Sequence, residues 1–218
     1  MMQAASVSRA SWRTALERTV APLTGGAQSL KVNGWRPAGR EQQRPRRTAA
    51  VLVAILDGET PQLVLTKRAQ HLNQHAGQVA FPGGSVDESD QSGVRTALRE
   101  AEEEIGLDPS RAEVLGFLDR IDTVSDFRVL PVVALIPAGT VFVPDHNEVE
   151  SVFTLPLERA LDLAAWAPTR IHRRGATRTI HSMRWDGHVI WGVTAGILRN
   201  LAERYRLLGQ SAGAAQSS

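Results

Sequence analysis

The stretch that most constrains this chain runs from Phe81 to Gly106, where a Pro-Gly-Gly stop is followed by a helical pattern carrying stacked carboxylates. From Ser92 to Ile105, Val94, Ala97, Leu98, Ala101 and Ile105 fall on one helical face. Gly106 is placed to close that helix, and Pro109 lies just beyond it. Glu100, Glu103 and Glu104 stand at i, i+3 and i+4, so their carboxylates share a face. Like charges at this spacing repel and weaken a helix, so the pattern asks for a neutralising partner. Three hard oxygen donors suit Mg²⁺ or Mn²⁺; a solvated acidic face is the plainer alternative.

The rest of the chain narrows the setting. With 218 residues and 42% apolar content it suits one sizeable domain, or one domain with an attached arm. It has no cysteine, so disulfides, thiolate metal sites and cysteine nucleophiles are excluded. Any metal must take oxygen or imidazole ligands. No apolar run reaches the ~18 residues of a membrane span, and Met1 to Val20 lacks the apolar stretch of a secretory signal. These features lead us to expect a cytoplasmic protein. The net charge is +2, but residues 1–50 hold nine Lys/Arg against Glu17 and Glu41, so the main body is mildly acidic.

Residues 1–47 are expected to form a basic arm and linker, whose start is a leader or one surface helix. Residues 48–208 read as the main domain, and 209–218 as a disordered tail. Ala49–Leu56 and Leu63–Thr66 flank an Asp57-Gly58 turn and are predicted to pair as a hairpin. Gln78–Phe81, Val114–Ile121, Phe127–Ile136, Arg178–Trp185 and His188–Trp191 are further strand candidates. A short helix is predicted after Pro156, and a last one from Gly192 to about Leu208. This order indicates an α+β fold, a mixed β-sheet between helices.

Arg99-Glu100-Ala101-Glu102-Glu103-Glu104-Ile105-Gly106-Leu107 matches the distal half of the Nudix box, and the chain resembles the Nudix hydrolase family on that motif. Upstream it departs: Arg99 arrives one residue late counted from Gly84, Asp90 takes the sixth position, and Gln91 fills the box Glu slot counted back from Arg99. With this insertion, the wording Phe81-Pro82-Gly83-Gly84 to Asp87 and Asp90, then Thr96-Ala97-Leu98-Arg99-Glu100-Ala101, is similar to the coenzyme A diphosphatase branch. That branch carries a second signature just upstream, matched here by Val64-Leu65-Thr66-Lys67-Arg68-Ala69 and Gly77 to Gly84, except that Asn73 replaces its second Arg. Asn147-Glu148-Val149 leading to Phe153–Leu157, and Ile190-Trp191-Gly192 with Thr194-Ala195, also resemble it.

The resemblance implies an α/β/α Nudix fold and a metal-dependent diphosphatase with Mg²⁺ or Mn²⁺ on Glu100, Glu103 and Glu104. Arg99 is expected to orient the loop. Gly83 and Gly84 are expected to let the backbone approach phosphate. Arg68 is the expected substrate cation. The general base is left between Glu148 and Glu150, with His146 a rival. The implied reaction cleaves coenzyme A, and acyl esters with it, to 4′-phosphopantetheine and adenosine 3′,5′-bisphosphate. Two alternatives stay open: another nucleoside diphosphate derivative (NADH, ADP-ribose, a damaged nucleotide), or a non-catalytic nucleotide-binding regulator. The expected partner is a small molecule rather than a membrane or nucleic acid, and a homodimer is left open.

Overall fold

The protein is described by a computed structural model covering residues 9–24, 32–34, 47–173 and 176–214. In chain order these form α1 (Arg9–Thr19), β1 (Val32–Gly34), β2 (Arg47–Asp57), β3 (Gln62–Arg68), β4 (Val79–Ala80) and β5 (Gly83–Ser85). Then come α2 (Gly93–Ile105), β6 (Glu113–Phe117), β7 (Arg120–Asp122), β8 (Phe127–Pro137), β9 (Val149–Pro156) and α3 (Leu157–Leu161). The chain finishes with β10 (Ala167–Arg173), β11 (Ala176–Trp185), β12 (His188–Ile190) and α4 (Gly192–Ala214).

The spine of the large sheet is β2 and β8, paired in parallel from Arg47↔Phe127 to Asp57↔Pro137. Strand β3 runs antiparallel to the end of β2 and along β9, while β5 pairs with the start of β2. The sheet is mixed, as expected. Both its faces are covered, which explains why β2 and β8 read as near-continuous apolar runs. Alternation sorts them: Leu52, Ala54, Val132, Ala134 and Ile136 face the Ala97-Ala101-Ile105 stripe of α2. Val53, Ile55, Val133 and Leu135 face the other way, toward Leu198 and Leu201 of α4 and Trp12 and Leu16 of α1.

Several expectations change here. The segment expected to be an arm contains α1, whose Trp12 and Leu16 are 4% and 0% exposed. The chain after α1 is bridged to β6 by reciprocal Ala21–Phe117 backbone hydrogen bonds. Residues 9–24 thus belong to the main body, drawn in by apolar burial; the rest of the arm lies outside the described residues apart from β1 and Arg47. At the other end α4 runs to Ala214 rather than stopping near Leu208, so the expected tail begins inside a helix. Strands β9 and β10 were not anticipated, and Gly83–Ser85 is a strand rather than a plain stop. The Asp186-Gly187 turn does join β11 to β12, with φ of 45° and 74°.

Candidate active site

Helix α2 is held at both ends by local chemistry. The Ser92 hydroxyl accepts from the Arg95 N–H, capping the start. Gly106 adopts φ 66° and its N–H reaches the Glu102 carbonyl, closing the end. The carbonyls of Glu104 and Ile105 accept from the N–H groups of Asp145 and Val143. That stitches the 143–149 loop to the helix end. The Glu148 carbonyl accepts from the Ala69 N–H, tying the same loop to the end of β3. Three chain segments far apart in sequence therefore meet at the last turn of α2.

Glu104 lies at their junction. It is 3% exposed; its Oε2 accepts from the Gly83 N–H at 3.2 Å, and its Oε1 lies 3.4 Å from Arg68 Nη1. Burial pushes its pKa up to about 7, against the opposing pull of Gly83 and Arg68, and the charges of Glu100 and Glu148 add to the rise. Glu100 is raised too, mainly by burial, with Arg99 opposing. Its carboxylate rests against the Cα of Gly84, in the space a β-carbon would fill. Gly84 is needed for that room and not for a positive φ. At Gly83 an added β-carbon would run into the Ala50 carbonyl across the β2–β5 pair.

Arg99 is bonded to the loop that precedes its helix. Its guanidinium donates to the Ser85 carbonyl, to both Asp90 oxygens and to Glu103, and lies 3.0 Å from Glu100. Asp90, to which the sequence reading gave no role, is the residue that holds Arg99. Its side chain is 3% exposed and also accepts from the Thr96 hydroxyl and the Asp87 N–H, so its pKa is held well below the usual carboxylate range. The one-residue shift in the box was the available signal: a carboxylate displaced by one position still reaches Arg99 because the 86–91 loop turns back on itself.

The other expected residues divide. Glu103 is bonded to Arg99 at 2.9 Å, as Glu100 is at 3.0 Å, but its side chain is 59% exposed, so it faces solvent while Glu100 and Glu104 are turned in. Among the described residues no three carboxylate or imidazole side chains converge on one point as they stand. The donor chemistry nevertheless suits a hard dication: a buried Glu104 with a raised pKa, and Glu100 and Glu148 in electrostatic range of it, form a site that positive charge would relieve. Of the two candidate bases, only Glu148 acts on both helix carboxylates. Glu150 is engaged at the sheet edge by Lys67 Nζ at 2.6 Å and by Gln70. Arg68, expected on substrate, contacts Glu104 here and also lines a cleft of about 340 Å³ with Gly83, Gly84, Val51, Phe127 and Trp191.

Comparison with known proteins identifies the family. Residues 45–174 match the NUDIX domain model. A protein of Escherichia coli K12, named "Uncharacterized Nudix hydrolase NudL", is 44% identical over 167 residues, spanning 77% of this chain and 87% of the relative. Among solved structures, a MutT protein from Methanosarcina mazei Go1 aligns over 78% of this chain and 99% of its own, at TM-score 0.49 and 15% identity. A Nudix hydrolase from M. Smegmatis, RenU, aligns over 54% and 74%, at TM-score 0.45 and 21% identity. The chain belongs to the Nudix hydrolases, enzymes that cleave diphosphate bonds.

Proposed function

We propose that this enzyme hydrolyses the diphosphate bond of coenzyme A, and of acyl-coenzyme A, to 4′-phosphopantetheine and adenosine 3′,5′-bisphosphate. The observation that carries the reading is the meeting of two sequence signatures in space. Arg68, from the stretch that resembles the coenzyme A branch, lies on Glu104 of the box helix, beside the Gly83 N–H.

Glu100 and Glu104 would hold Mg²⁺ or Mn²⁺, joined by Glu103 once released from Arg99 or by Glu148. Bound there, the metal would draw charge from phosphorus and lower the pKa of a water. The chain's own groups do the rest. Arg68 grips a diphosphate oxygen, since guanidinium pairs with phosphate in bidentate fashion. The Gly83 and Gly84 backbone admits the phosphates closely. Glu148 accepts the proton of the attacking water, and Arg99 with Asp90 keeps the 83–90 loop in place.

Coenzyme A, NADH and ADP-ribose assayed side by side, with product identification, test the reading. Preferred turnover of coenzyme A with release of 4′-phosphopantetheine is expected; equal or better turnover of NADH would overturn it. A second reading, another nucleoside diphosphate derivative, is favoured by Asn73, which stands exposed where the branch has arginine.

A further inference from the structure

Coenzyme A carries a phosphate on the ribose 3′ position, some way from the bond that breaks, and recognition of that group calls for a second cation. Arg68 is committed to the diphosphate end through Glu104. The cleft it borders runs along the α4-facing side of β2, past Val51 and Ala49, with Phe127 and Trp191 among its walls. Side chains of alternate strand residues share a face, so Arg47 continues the line that Val51 and Ala49 begin. Its guanidinium lies over the Phe127 ring, 4.5 Å from the centroid, and donates to the Ser85 hydroxyl at 3.5 Å. Phe127 and Ser85 both line the cleft. Arg47 therefore marks its far rim.

Gly83 pairs with Val51, four residues along β2 from Arg47, a separation of about 13 Å at the rise of a strand. Two long guanidinium side chains reaching inward from such ends can meet the two phosphates carried on one ribose. Between them lie aromatic and aliphatic walls suited to a base and a ribose.

We infer that Arg47 is the 3′-phosphate-recognising residue, and that the cleft between Arg68 and Arg47 takes the adenosine 3′,5′-bisphosphate half of the substrate. The 5′-phosphate lies at Gly83, Gly84 and Arg68, and the nucleoside lies against Phe127 and Trp191. The inference rests on the coenzyme A reading for its substrate, but its test does not. The aromatic face beneath Arg47 holds the guanidinium in position before substrate arrives, which limits the ordering cost of binding.

Calorimetric titration of the full chain with adenosine 3′,5′-bisphosphate and with 5′-AMP measures the worth of the 3′-phosphate directly. The bisphosphate is expected to bind about tenfold to a hundredfold more tightly, as for a charge-assisted hydrogen-bonded contact. Arg47→Ala should reduce that ratio to near one, and Arg47→Lys should restore part of it. Equal affinities in the wild type, no binding of either nucleotide, or a ratio that survives Arg47→Ala would each overturn the inference. Turnover of coenzyme A against dephospho-coenzyme A separates it from the proposed function. If neither is cleaved but the Arg47-dependent ratio stands, the substrate reading fails and the phosphate site remains. If coenzyme A is cleaved and Arg47→Ala raises KM equally for both, the reading stands and Arg47 is wrongly assigned.

Discussion

The Glu100 carboxylate rests on the bare Cα of Gly84, filling the volume a side chain at position 84 would need. Glycine there is a statement about Glu100 rather than about backbone conformation. Gly84→Ala should push Glu100 out of place while the fold accommodates the change, because the displaced atoms are the end of a side chain. Steady-state assays should show kcat down about 100-fold, the scale of a roughly 1 Å misplacement. The melting temperature should move by only a few degrees. Full activity in the alanine variant would refute the contact's importance.

Asp90 holds Arg99 through two charged hydrogen bonds and is nearly buried. Asp90→Ala should cost about 1–3 kcal/mol of stability in urea unfolding, since it leaves a guanidinium without its main partner. Activity should fall with it as the loop bearing Gly83 and Gly84 loosens. Gln91→Ala, one position on, should do neither.

The metal-free protein should gain stability on mild acidification. Glu104 has its pKa raised from 4.5 to about 7 in the folded state. Folding therefore favours its protonated form, and that contribution is complete below about pH 4.5 and is lost as pH rises through 7. Asp90 acts in the opposite sense: its lowered value stabilises the fold above about pH 4, and the contribution is lost on further acidification. Thermal melts in a chelator should show stability falling between pH 5 and 8, by on the order of 1–3 kcal/mol from Glu104. In Glu104→Gln that fall should shrink, and metal-free stability at pH 8 should rise while turnover is abolished. An unchanged slope would show that Glu104 is not the titrating group.

Glu148 and Glu150 are separable by substitution. Glu148→Gln should lower kcat by about 10²- to 10⁴-fold, the range for loss of a general base. Glu150→Gln, which removes only a partner of Lys67 and Gln70 at the sheet edge, should change kcat less than about threefold. The reverse ranking would move the base to Glu150.

Leu16 is fully buried, so Leu16→Ala should destabilise the protein by about 2–5 kcal/mol by calorimetry or denaturant unfolding. An effect below about 0.5 kcal/mol would mean that α1 is detached in solution.

What the amino-acid order determined by itself is the local structure of the box. The apolar stripe of α2, the Gly106 stop, the shared face of Glu100 and Glu104 and the Asp186-Gly187 turn each depend on neighbours within a few residues. Strands β2, β3 and β8 were legible for the same reason, through short apolar runs and turn signals. The tertiary structure alone decided which acids join the helix pair. Glu103 shares their helical face, yet turns out toward solvent, while Glu148, more than forty residues later, comes within electrostatic range of Glu100 and Glu104 because the 143–149 loop is bonded to the carbonyls of Glu104 and Ile105. Asp90 is a clamp only because its loop folds back on Arg99, and α1 belongs to the core only because α4 and the sheet leave an apolar face for Trp12 and Leu16. Strand β9 exists through its pairing with β3 rather than through an alternating pattern of its own. Capping and periodicity are satisfied inside a short window of chain, whereas charge pairing and edge-strand pairing depend on which distant surfaces burial brings together.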